Sequence, residues 1–343
     1  MKAVVLEQYN ELVYKDVPDP EIADDDVLVK VKACGICGSD VHGLDGSTGR
    51  RIPPLIMGHE ASGVIAETGA SVRGWKRGDR VTFDSTIYPL HDWYTLEGHY
   101  NLSDNREVLG VSPGTYIRNG AFAEYVAVPQ HILYRIPDKV TYEQAAMVEP
   151  VAVALHAVNI SLTKIGESCV IIGAGTIGGF IVQLLQMAGA FPIIAVDLNQ
   201  TNLERAGQMG ATSLFRPDDD MLADQVISLT HNRGADLVIE AVGSSVTVNL
   251  GISLLRKGGR IVLVGNIAPQ VDIPLQKVVT GELQLLGSCA IRGEYATVLE
   301  LLEQGKIITD PFISAIVPLS DAAMWFQKLR NNRGGLNKVI LVP

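Results

Sequence analysis

The fold is decided by one stretch of the sequence, CVIIGAGTIGGF at residues 169–180. An apolar run typical of a buried strand leads into a Gly-x-Gly-x-x-Gly pattern, and a helix-like run follows. Gly173 suits a tight turn, Gly175 allows the main chain to approach a diphosphate, and Gly178 allows the helix to pack closely on the strand. Thr176 and Ile177 open the helix, whose N-terminus favours an anion. The stretch predicts a dinucleotide-binding β-α unit, the alternative being a purely structural turn.

Alternating strands and helices continue beyond this stretch. Buried strands are predicted at Cys169–Gly173, Ile193–Asp197, Thr212–Phe215, Asp236–Glu240, Arg260–Gly265 and Leu283–Gly287. Helical patterns separate them, for instance over residues 201–209. Strands that alternate with helices indicate a doubly wound parallel sheet, and six strands are the full complement of a dinucleotide-binding domain.

The second predicted strand ends at Asp197, 24 positions after Gly173. Such domains carry an acidic residue about 20 residues beyond the glycine motif, and it binds the adenosine ribose. A carboxylate there would repel a 2′-phosphate, and the following Leu198-Asn199-Gln200 supplies no arginine to bind one. The sequence therefore favours NAD over NADP, with a helix N-cap as the alternative role of Asp197. Further cofactor contacts are predicted around the ends of the fifth and sixth strands, at Val264, Gly265, Asn266, Ser288 and Cys289.

The chain on either side of this region has a different texture. Up to about residue 150 it is rich in strand-like runs, such as Asp26–Lys32 and Ala121–Val128, which Gly and Pro turns separate. This part is predicted to be an all-β, barrel-like domain. The tail beyond 290 carries two helical stretches, Glu294–Gln304 and Asp321–Leu329 with Ser320 as N-cap, and a last strand, Lys338–Val342. Because that strand has no place in a six-stranded sheet, we expect it to return to the first domain.

Possible metal ligands are Cys37 within GICGSDVH (35–42), His59 and Glu60 within GHE (58–60), and Glu149 within VEP (148–150). A thiolate, an imidazole and one carboxylate give zinc three ligands and leave a fourth position open, which is the pattern of a catalytic site. His59 and Glu60 are adjacent, so both can bind only if the backbone bends there. Glu149 is the competing carboxylate, and the sequence leaves that choice open. A redox pair, Cys34-x-x-Cys37, is the alternative for the thiol.

Composition excludes several classes of protein. The formal net charge is −10, which argues against a nucleic-acid partner and against attraction to an anionic membrane. Residues 169–196 contain no charge, but their glycines, Pro192 and two glutamines favour a strand, a helix and a second strand over a membrane span. The apolar start of the chain breaks at Glu7, short of a signal peptide, and four cysteines give no disulfide framework. A cytoplasmic protein is the expectation.

The motifs at 35–42, 58–60, 148–150 and 173–178, in this order, resemble the zinc-dependent medium-chain dehydrogenase superfamily over essentially the whole chain. Glu60 after the histidine, Glu149-Pro150 followed by His156, and GHYNLS at 98–103 are most similar to the sorbitol (polyol) dehydrogenase branch. The resemblance implies an α/β Rossmann domain, with its doubly wound parallel sheet, inserted into an all-β GroES-like barrel domain. We therefore expect a catalytic domain over 1–153, an NAD-binding domain over 154–290, and a return to the catalytic domain over 291–343.

The resemblance also implies the chemistry, which is hydride transfer between a polyol or secondary alcohol and NAD at one catalytic zinc ion. The implied zinc ligands are Cys37, His59 and Glu60, with Glu149 as an additional or water-mediated ligand. Ser39 would receive the proton of the substrate hydroxyl and pass it, through the cofactor ribose, towards His42, and Asp40 would support the ligands. A homo-oligomer, dimer or tetramer, is expected, with the strand Leu283–Gly287 as a candidate pairing edge.

The sequence departs from these relatives at two places. Positions that carry the four cysteines of a structural zinc in many members are here Pro89, Asp92, Thr95 and Ser103, so we predict no structural zinc. A tyrosine and an Arg-Tyr pair of the sorbitol dehydrogenases correspond to Gly43 and to Ala290-Ile291, with Arg292 displaced.

Three alternative functions remain at this point. A phosphorylated polyol would need a basic cluster, for which Arg50-Arg51 and Arg118 are candidates, although Arg50-Arg51 favours a solvated loop. An amino alcohol of the threonine type would suit the same scaffold. A dinucleotide-binding protein without turnover would be expected to lack Cys37 or His59, and both are present.

Overall fold

The computed structural model describes residues 1–331 and 335–343. Its strands are β1 (Lys2–Gln8), β2 (Glu11–Asp16), β3 (Asp26–Gly35), β4 (Leu55–Ile56), β5 (Glu60–Thr68), β6 (Arg80–Phe83), β7 (Thr86–Ile87), β8 (Glu107–Val108), β9 (Tyr125–Pro129), β10 (Leu133–Arg135), β11 (Cys169–Ile172), β12 (Ile193–Val196), β13 (Ser213–Phe215), β14 (Ala235–Glu240), β15 (Leu255–Leu263), β16 (Gln284–Gly287), β17 (Ile313–Pro318) and β18 (Lys338–Val342).

The α-helices are α1 (Gly38–Gly43), α2 (Trp93–Leu96), α3 (Tyr142–Ala146), α4 (Val148–Ser161), α5 (Thr176–Met187), α6 (Gln200–Gln208), α7 (Leu222–Leu229), α8 (Ser245–Leu254), α9 (Leu275–Thr280), α10 (Tyr295–Glu303) and α11 (Ala322–Arg330). Short 3₁₀ turns lie at Tyr100–Leu102, Gln130–Ile132, Asp310–Phe312 and Leu319–Asp321. None of the helices in the described part of the chain is long and apolar enough to cross a membrane.

The described chain divides into two compact units. The first contains Met1–Pro150, the stretch that begins at Ile291, and Leu336–Pro343, and the second contains Val151–Ala290. These limits lie within three residues of the expected limits at 153 and 290. The domain boundaries themselves remain a proposal, because the division shows only which residues form a compact unit.

The first unit is built on antiparallel β-structure. Its main sheet has the order β10-β6-β5-β3-β18-β17, with β9 also pairing with β3, and a smaller sheet has the order β2-β1-β4. Apolar side chains of these strands, together with Phe122 from the segment before β9, fill one core that includes Leu6 and Phe83. The final strand does return to this unit, because β18 pairs antiparallel with β3, Ile340 opposite Gly35. β17, which the sequence pattern did not indicate, pairs parallel with β18 on its other side.

The second unit contains the predicted parallel sheet. Its strand order is β13-β12-β11-β14-β15-β16, and every neighbouring pair is parallel. The order changes direction between β11 and β14, and ligands bind at the carboxyl ends of strands beside such a switch point. The six predicted strands are confirmed with small shifts, of which the largest is β15, which begins at Leu255 instead of Arg260. The fold class deduced from the glycine motif is therefore confirmed.

Two local predictions need correction, and one alternative is excluded. Asp321 occupies the N-cap position of α11, so Ser320 is not its cap; the Ser320 hydroxyl bonds to the Asp321 carboxylate instead. Of the run Ala121–Val128 only the second half is strand, because β9 begins at Tyr125. Asp197 is not the N-cap of α6, since Asn199 holds that position and accepts from the amides of Thr201 and Asn202.

Candidate active site

The loop that carries Cys37 turns directly from β3 into α1. Cys37 occupies the N-cap position of α1, and its amide donates to the Asp40 carboxylate at 3.3 Å. This closes the first turn of a short helix and fixes the thiol beside it. Ser39 and His42 are three positions apart on α1 and therefore lie on the same face of the helix. Both are exposed, whereas Asp40 is fully buried.

A bend before β5 brings His59 and Glu60 to the thiol. Gly58 has φ of +97°, a conformation that favours glycine, and β5 begins only at Glu60. On a regular strand the two side chains would point to opposite faces, but His59 precedes the strand, so this rule does not apply to His59 and Glu60. One ligand atom from each of Cys37, His59 and Glu60 lies within 4.8 Å of the others. The condition for joint ligation by the adjacent pair is thus met.

Asp40 lies beside the histidine, at a separation longer than a hydrogen bond. Its Oδ1 lies 3.6 Å from Nδ1 of His59, and both side chains are buried. A carboxylate beside one ring nitrogen of a histidine directs the other nitrogen to a metal and increases its basicity. The arrangement leaves Nε2 of His59 available as the ligand atom.

Glu60 has a partner that the sequence did not indicate. Nζ of Lys338 donates to both carboxylate oxygens of Glu60, at 2.7 and 2.5 Å, and also to the carbonyl of Ile36 at 3.1 Å. The lysine and the glutamate are 4% and 1% exposed. The additional hydrogen bonds help to offset the cost of removing the two groups from water. The pair exists because β18 lies beside β3 and β3 beside β5.

Glu149 lies at the beginning of α4, outside the cluster of three. Its Oε1 accepts from the hydroxyl of Ser85 at 3.4 Å. Burial raises the pKa of Glu149 to about 8, although the charge of His59 acts in the opposite direction. Burial also raises the pKa of the Cys37 thiol to about 11, and the charge of Glu60 adds to this increase. Both shifts arise mainly from burial, and a bound cation would lower both pKa values by stabilising the charged forms.

The predicted cofactor residues of the second unit gather at the carboxyl edge of the parallel sheet. Gly173 has φ of +89°, and a Cβ on Gly178 would lie 1.8 Å from the carbonyl oxygen of Gly173. Only glycine fits at either position. The Asp197 carboxylate accepts from the amides of Ala174 and Asn199, both at 2.7 Å, which places it beside the glycine turn.

The remaining predicted contacts follow β15 and β16. The amides of Val264 and Gly265 donate to the carbonyl of Glu240, and Asn266 comes next in the chain. The Ser288 amide donates to the carbonyl of Leu263, while its hydroxyl is buried without a hydrogen-bond partner in the described chain, and Cys289 follows. All these segments therefore lie where the parallel strands end, which is the expected location for a dinucleotide.

Comparison with known proteins supports both the candidate metal site and the candidate dinucleotide site. Residues 23–138 match the alcohol dehydrogenase GroES-like domain family, and residues 176–304 match the zinc-binding dehydrogenase family. The chain is 33% identical over 339 residues to D-xylulose reductase of Saccharomyces cerevisiae, which covers 95% of this chain and 93% of that protein. The chain belongs to the zinc-dependent medium-chain dehydrogenases. Its similarity to sorbitol dehydrogenase of Bacillus subtilis, 31% identity over 100% of this chain and 97% of the relative, confirms the sorbitol dehydrogenase-like branch.

A solved structure supports the fold and the cofactor class. A zinc-binding dehydrogenase from Sinorhizobium meliloti 1021, crystallised with NADP, superposes with a TM-score of 0.90 at 33% identity. The alignment covers 100% of this chain and 99% of that one. As a medium-chain dehydrogenase, the present chain is an oxidoreductase that uses zinc and a nicotinamide cofactor.

The donor set fits the zinc of this family. Ligand atoms across a tetrahedral zinc ion lie about 3.5 Å apart, given bond lengths of about 2.0–2.3 Å. The 4.8 Å limit of the cluster requires only small side-chain adjustments to reach that spacing. Thiolate, imidazole and carboxylate are also the mixture that zinc accepts and that magnesium does not.

The lobe that holds a structural zinc in many medium-chain dehydrogenases is organised here by hydrogen bonds. Asp92 caps α2 by accepting from the Thr95 amide at 2.7 Å, and the hydroxyl of Ser103 donates to the same carboxylate. Asp92, Thr95 and Ser103, three of the four residues at positions where relatives carry cysteines, are thus linked by hydrogen bonds to Asp92. The prediction of a single zinc stays a prediction, and this network explains how the lobe can hold its shape.

Arg51 is buried, although the sequence predicts a solvated loop for Arg50 and Arg51. Arg50 is exposed as predicted for a solvated loop, but Arg51 is only 4% exposed and its guanidinium donates to Asp40 at 3.0 Å. The sequence pattern treated both arginines alike. Arg118 is paired with Glu107 at 3.8 Å.

A group of hydrogen-bonded polar residues begins beside Glu149. Ser85 bonds to it, and the preceding Asp84 accepts from the hydroxyl of Tyr100 at 2.6 Å. The displaced Arg292 contacts Nδ1 of His99 at 2.6 Å, next to Tyr100 in the chain. The similarity of GHYNLS to sorbitol dehydrogenases was the signal that marked this region, but it did not indicate the partners.

The buried Asp84 carboxyl gives a pH prediction. Burial raises its pKa to about 6, against the opposing effect of the hydrogen bond from Tyr100. The unfolded value is about 3.9, so the protonated form stabilises the fold and this contribution is lost as the pH rises through 6. We expect about 1 kcal/mol of the free energy of unfolding to disappear between pH 5 and pH 7.5 for this reason. Urea unfolding at both pH values should show a smaller difference in Asp84→Asn than in the wild type, and equal differences would contradict the assignment.

Proposed function

We propose that the protein oxidises polyols to ketoses, and reduces ketoses in the reverse direction, with NAD at one zinc ion. The observation that carries the proposal is the cluster of Cys37, His59 and Glu60 in the GroES-like unit of a chain whose relatives include D-xylulose reductase and sorbitol dehydrogenase. When bound, zinc supplies the Lewis acid that lowers the pKa of the substrate hydroxyl, and the nicotinamide accepts the hydride.

We propose Cys37 and His59 as constant ligands, with Glu60 and Glu149 competing for the third position. Glu60 lies within the cluster, but both its oxygens are bonded to Lys338. Glu149 lies outside the cluster and prefers to remain protonated, with a pKa of about 8. Either carboxylate can therefore approach a cation only by giving up its present partner, a lysine or a proton.

We propose that Ser39 and His42 remove the proton. Ser39 is exposed at the first turn of α1, adjacent to the buried Asp40, and can accept a proton from a substrate hydroxyl while releasing its own. His42 lies on the same helix face, is exposed, and can hand the proton to water.

The surroundings of Asp197 support NAD as the preferred cofactor, although a relative of known structure holds NADP. Among the residues that the structure describes, Arg216 reaches the loop and donates to the carbonyl of Leu198 at 2.5 Å. Its guanidinium is, however, held by the carboxylate of Asp218 in two hydrogen bonds of 2.9 and 2.8 Å. The positive charge that would bind a 2′-phosphate is thus already neutralised.

Replacing Asp197 tests this preference. Asp197→Ala should lower kcat/KM for NAD about 100-fold, because charged hydrogen bonds to the ribose contribute about 1.5–3 kcal/mol each. Asp197→Asn is the matched control, because its amide oxygen can still accept from Ala174 while the negative charge is lost. Initial rates at equal concentrations of NAD and NADP provide the measurement. A wild-type protein that prefers NADP would refute the assignment.

An unphosphorylated substrate is supported by the state of the basic residues. Arg51 is neutralised by Asp40 and Arg118 is paired with Glu107, so two of the three arginines of the predicted phosphate cluster have compensated charges, and only the exposed Arg50 of that cluster lacks such a pair in the described chain. The phosphorylated polyol is therefore the weaker candidate. The amino-alcohol alternative is tested by the substrate panel described below.

Assembly and location complete the proposal. β16 forms one edge of the parallel sheet, and the β16 edge could pair with its copy in a homo-oligomer. We propose a dimer or tetramer in the cytoplasm, without a nucleic-acid or membrane partner, in accord with the net charge of −10.

A substrate panel tests the function directly. Zinc-loaded protein should form NADH with sorbitol and consume NADH with D-xylulose, and should be much less active on threonine and on a polyol phosphate. A rate on threonine or on the phosphorylated compound above that on both free sugars would overturn the polyol assignment.

A further inference from the structure

We propose that Arg51 is a positioning residue for proton removal, which orients the hydroxyl of Ser39. The inference rests on the proposed role of Ser39 and extends it to a residue that the motifs did not mark. Nη2 of Arg51 lies 3.3 Å from Oγ of Ser39 and 3.0 Å from Oδ1 of Asp40, and Nε lies 3.3 Å from the same Asp40 oxygen. One guanidinium therefore binds two consecutive residues of α1.

The position of Arg51 depends on the absence of a side chain at residue 43. A Cβ on Gly43 would lie 2.4 Å from Cγ of Arg51 and 3.2 Å from its Cβ. The φ of Gly43 is not in the left-handed region, so glycine is needed here for space and not for backbone conformation. On the main chain, Arg51 is held by a bridge to Ser112. Residue 43 is the position where the sequence lacks the tyrosine of the sorbitol dehydrogenases. Arg51 occupies the space that a side chain there would fill.

The hydrogen-bonding chemistry of arginine determines what Ser39 can do. A guanidinium only donates, so Oγ of Ser39 must act as the acceptor in this contact. The hydroxyl hydrogen of Ser39 is then directed to another acceptor, while the second lone pair stays open to receive the substrate proton. Arg51 thereby sets the direction in which a proton can pass through Ser39.

Arg51 also has a structural contact that must be separated from this role. Its bond to Asp40 neutralises a buried carboxylate, which in turn lies 3.6 Å from His59 and accepts from the Cys37 amide. Removal of the arginine altogether would disturb that network. Lysine keeps the charge beside Asp40, but its single ammonium cannot reproduce the planar fork that reaches both residues. Arg51→Lys is therefore the informative substitution.

A double-mutant cycle between Arg51→Lys and Ser39→Ala tests the inference, with zinc content measured for each protein. We expect Ser39→Ala to lower kcat about 100-fold, as for the loss of a proton-transfer group. Arg51→Lys should lower kcat about 10-fold with KM for the polyol within about twofold. In the Ser39→Ala background Arg51→Lys should then have no further effect, since coupled residues are not additive. Arg50→Lys, at an exposed neighbour, is the control and should match the wild type.

The possible outcomes separate the two proposals. An equal loss from Arg51→Lys in both backgrounds, or none in either, overturns the role of Arg51 while the relay through Ser39 stands. A Ser39→Ala protein with wild-type kcat overturns the relay and this inference together, and leaves the zinc site untouched. If Arg51→Lys fails to fold, Gly43→Ala provides the same test, because its methyl group displaces the arginine from Ser39. Its effect must likewise vanish in the Ser39→Ala background.

Discussion

Replacing Cys37 by alanine is expected to abolish zinc binding and to lower turnover about 10⁴-fold, while the protein still binds NAD. The cluster would keep only His59 and a carboxylate, and two ligands do not hold zinc in a catalytic site. The lost Lewis acid accounts for several kcal/mol of transition-state stabilisation, and each 1.36 kcal/mol is a factor of ten in rate. Metal analysis, NADH formation with sorbitol and a fluorescence titration with NADH measure the three quantities.

Cys34→Ala is the matched control for this prediction. Cys34 is 1% exposed and packs in the core of the first unit, and its thiol is not part of the metal cluster. The variant should lose some stability but keep its zinc and its turnover. If Cys34 and Cys37 were instead a redox pair, both substitutions would abolish activity equally. Full turnover by metal-free Cys37→Ala would rule out the zinc mechanism.

Replacing Lys338 by methionine is expected to lower the free energy of unfolding of the metal-free protein by about 3–5 kcal/mol. The substitution leaves the buried carboxylate of Glu60 without a counter-charge, and loss of one partner of a buried ion pair has costs in this range. Burial lowers the pKa of Lys338, but the charge of Glu60, its hydrogen bond to the lysine and the neighbouring acidic groups together raise the pKa above its usual value, so the lysine stays charged in the fold. Urea unfolding followed by circular dichroism provides the measurement.

Two further variants identify the cause of that loss. Glu60→Gln combined with Lys338→Met removes both charges and should recover at least about half of the lost stability. Lys306→Met, at an exposed lysine of the same unit, should leave the stability within about 0.5 kcal/mol of the wild type. A Lys338→Met protein as stable as the Lys306→Met control would show that the ion pair does not compensate Glu60.

The sequence was sufficient wherever the structure depends on short-range rules. The turn at Gly173 and the close packing at Gly178 follow from three glycines, and the strands on either side are apolar runs of ordinary length. Cys37, His59 and Glu60 were found because each lies in a compact motif. The adjacency of His59 and Glu60 requires a bend if both are to bind one metal, and Gly58 provides it with its positive φ.

The residues that the sequence did not reveal depend on distant parts of the chain. Lys338 meets Glu60 only because β18 pairs with β3, and an isolated lysine at the start of a strand resembles any exposed one. Arg50 and Arg51 are adjacent and look equivalent in the sequence, although Arg50 is exposed and Arg51 is buried against α1. Local patterns specify which residue types are present, whereas partner choice follows from tertiary packing.

The most direct test of the account is a zinc titration of chelator-treated protein, with NAD-dependent oxidation of sorbitol as the readout. The account predicts no oxidation without metal, and a linear recovery that stops at one zinc ion per subunit. Undiminished oxidation by the metal-free protein would contradict the central claim that zinc at Cys37 and His59 performs the chemistry.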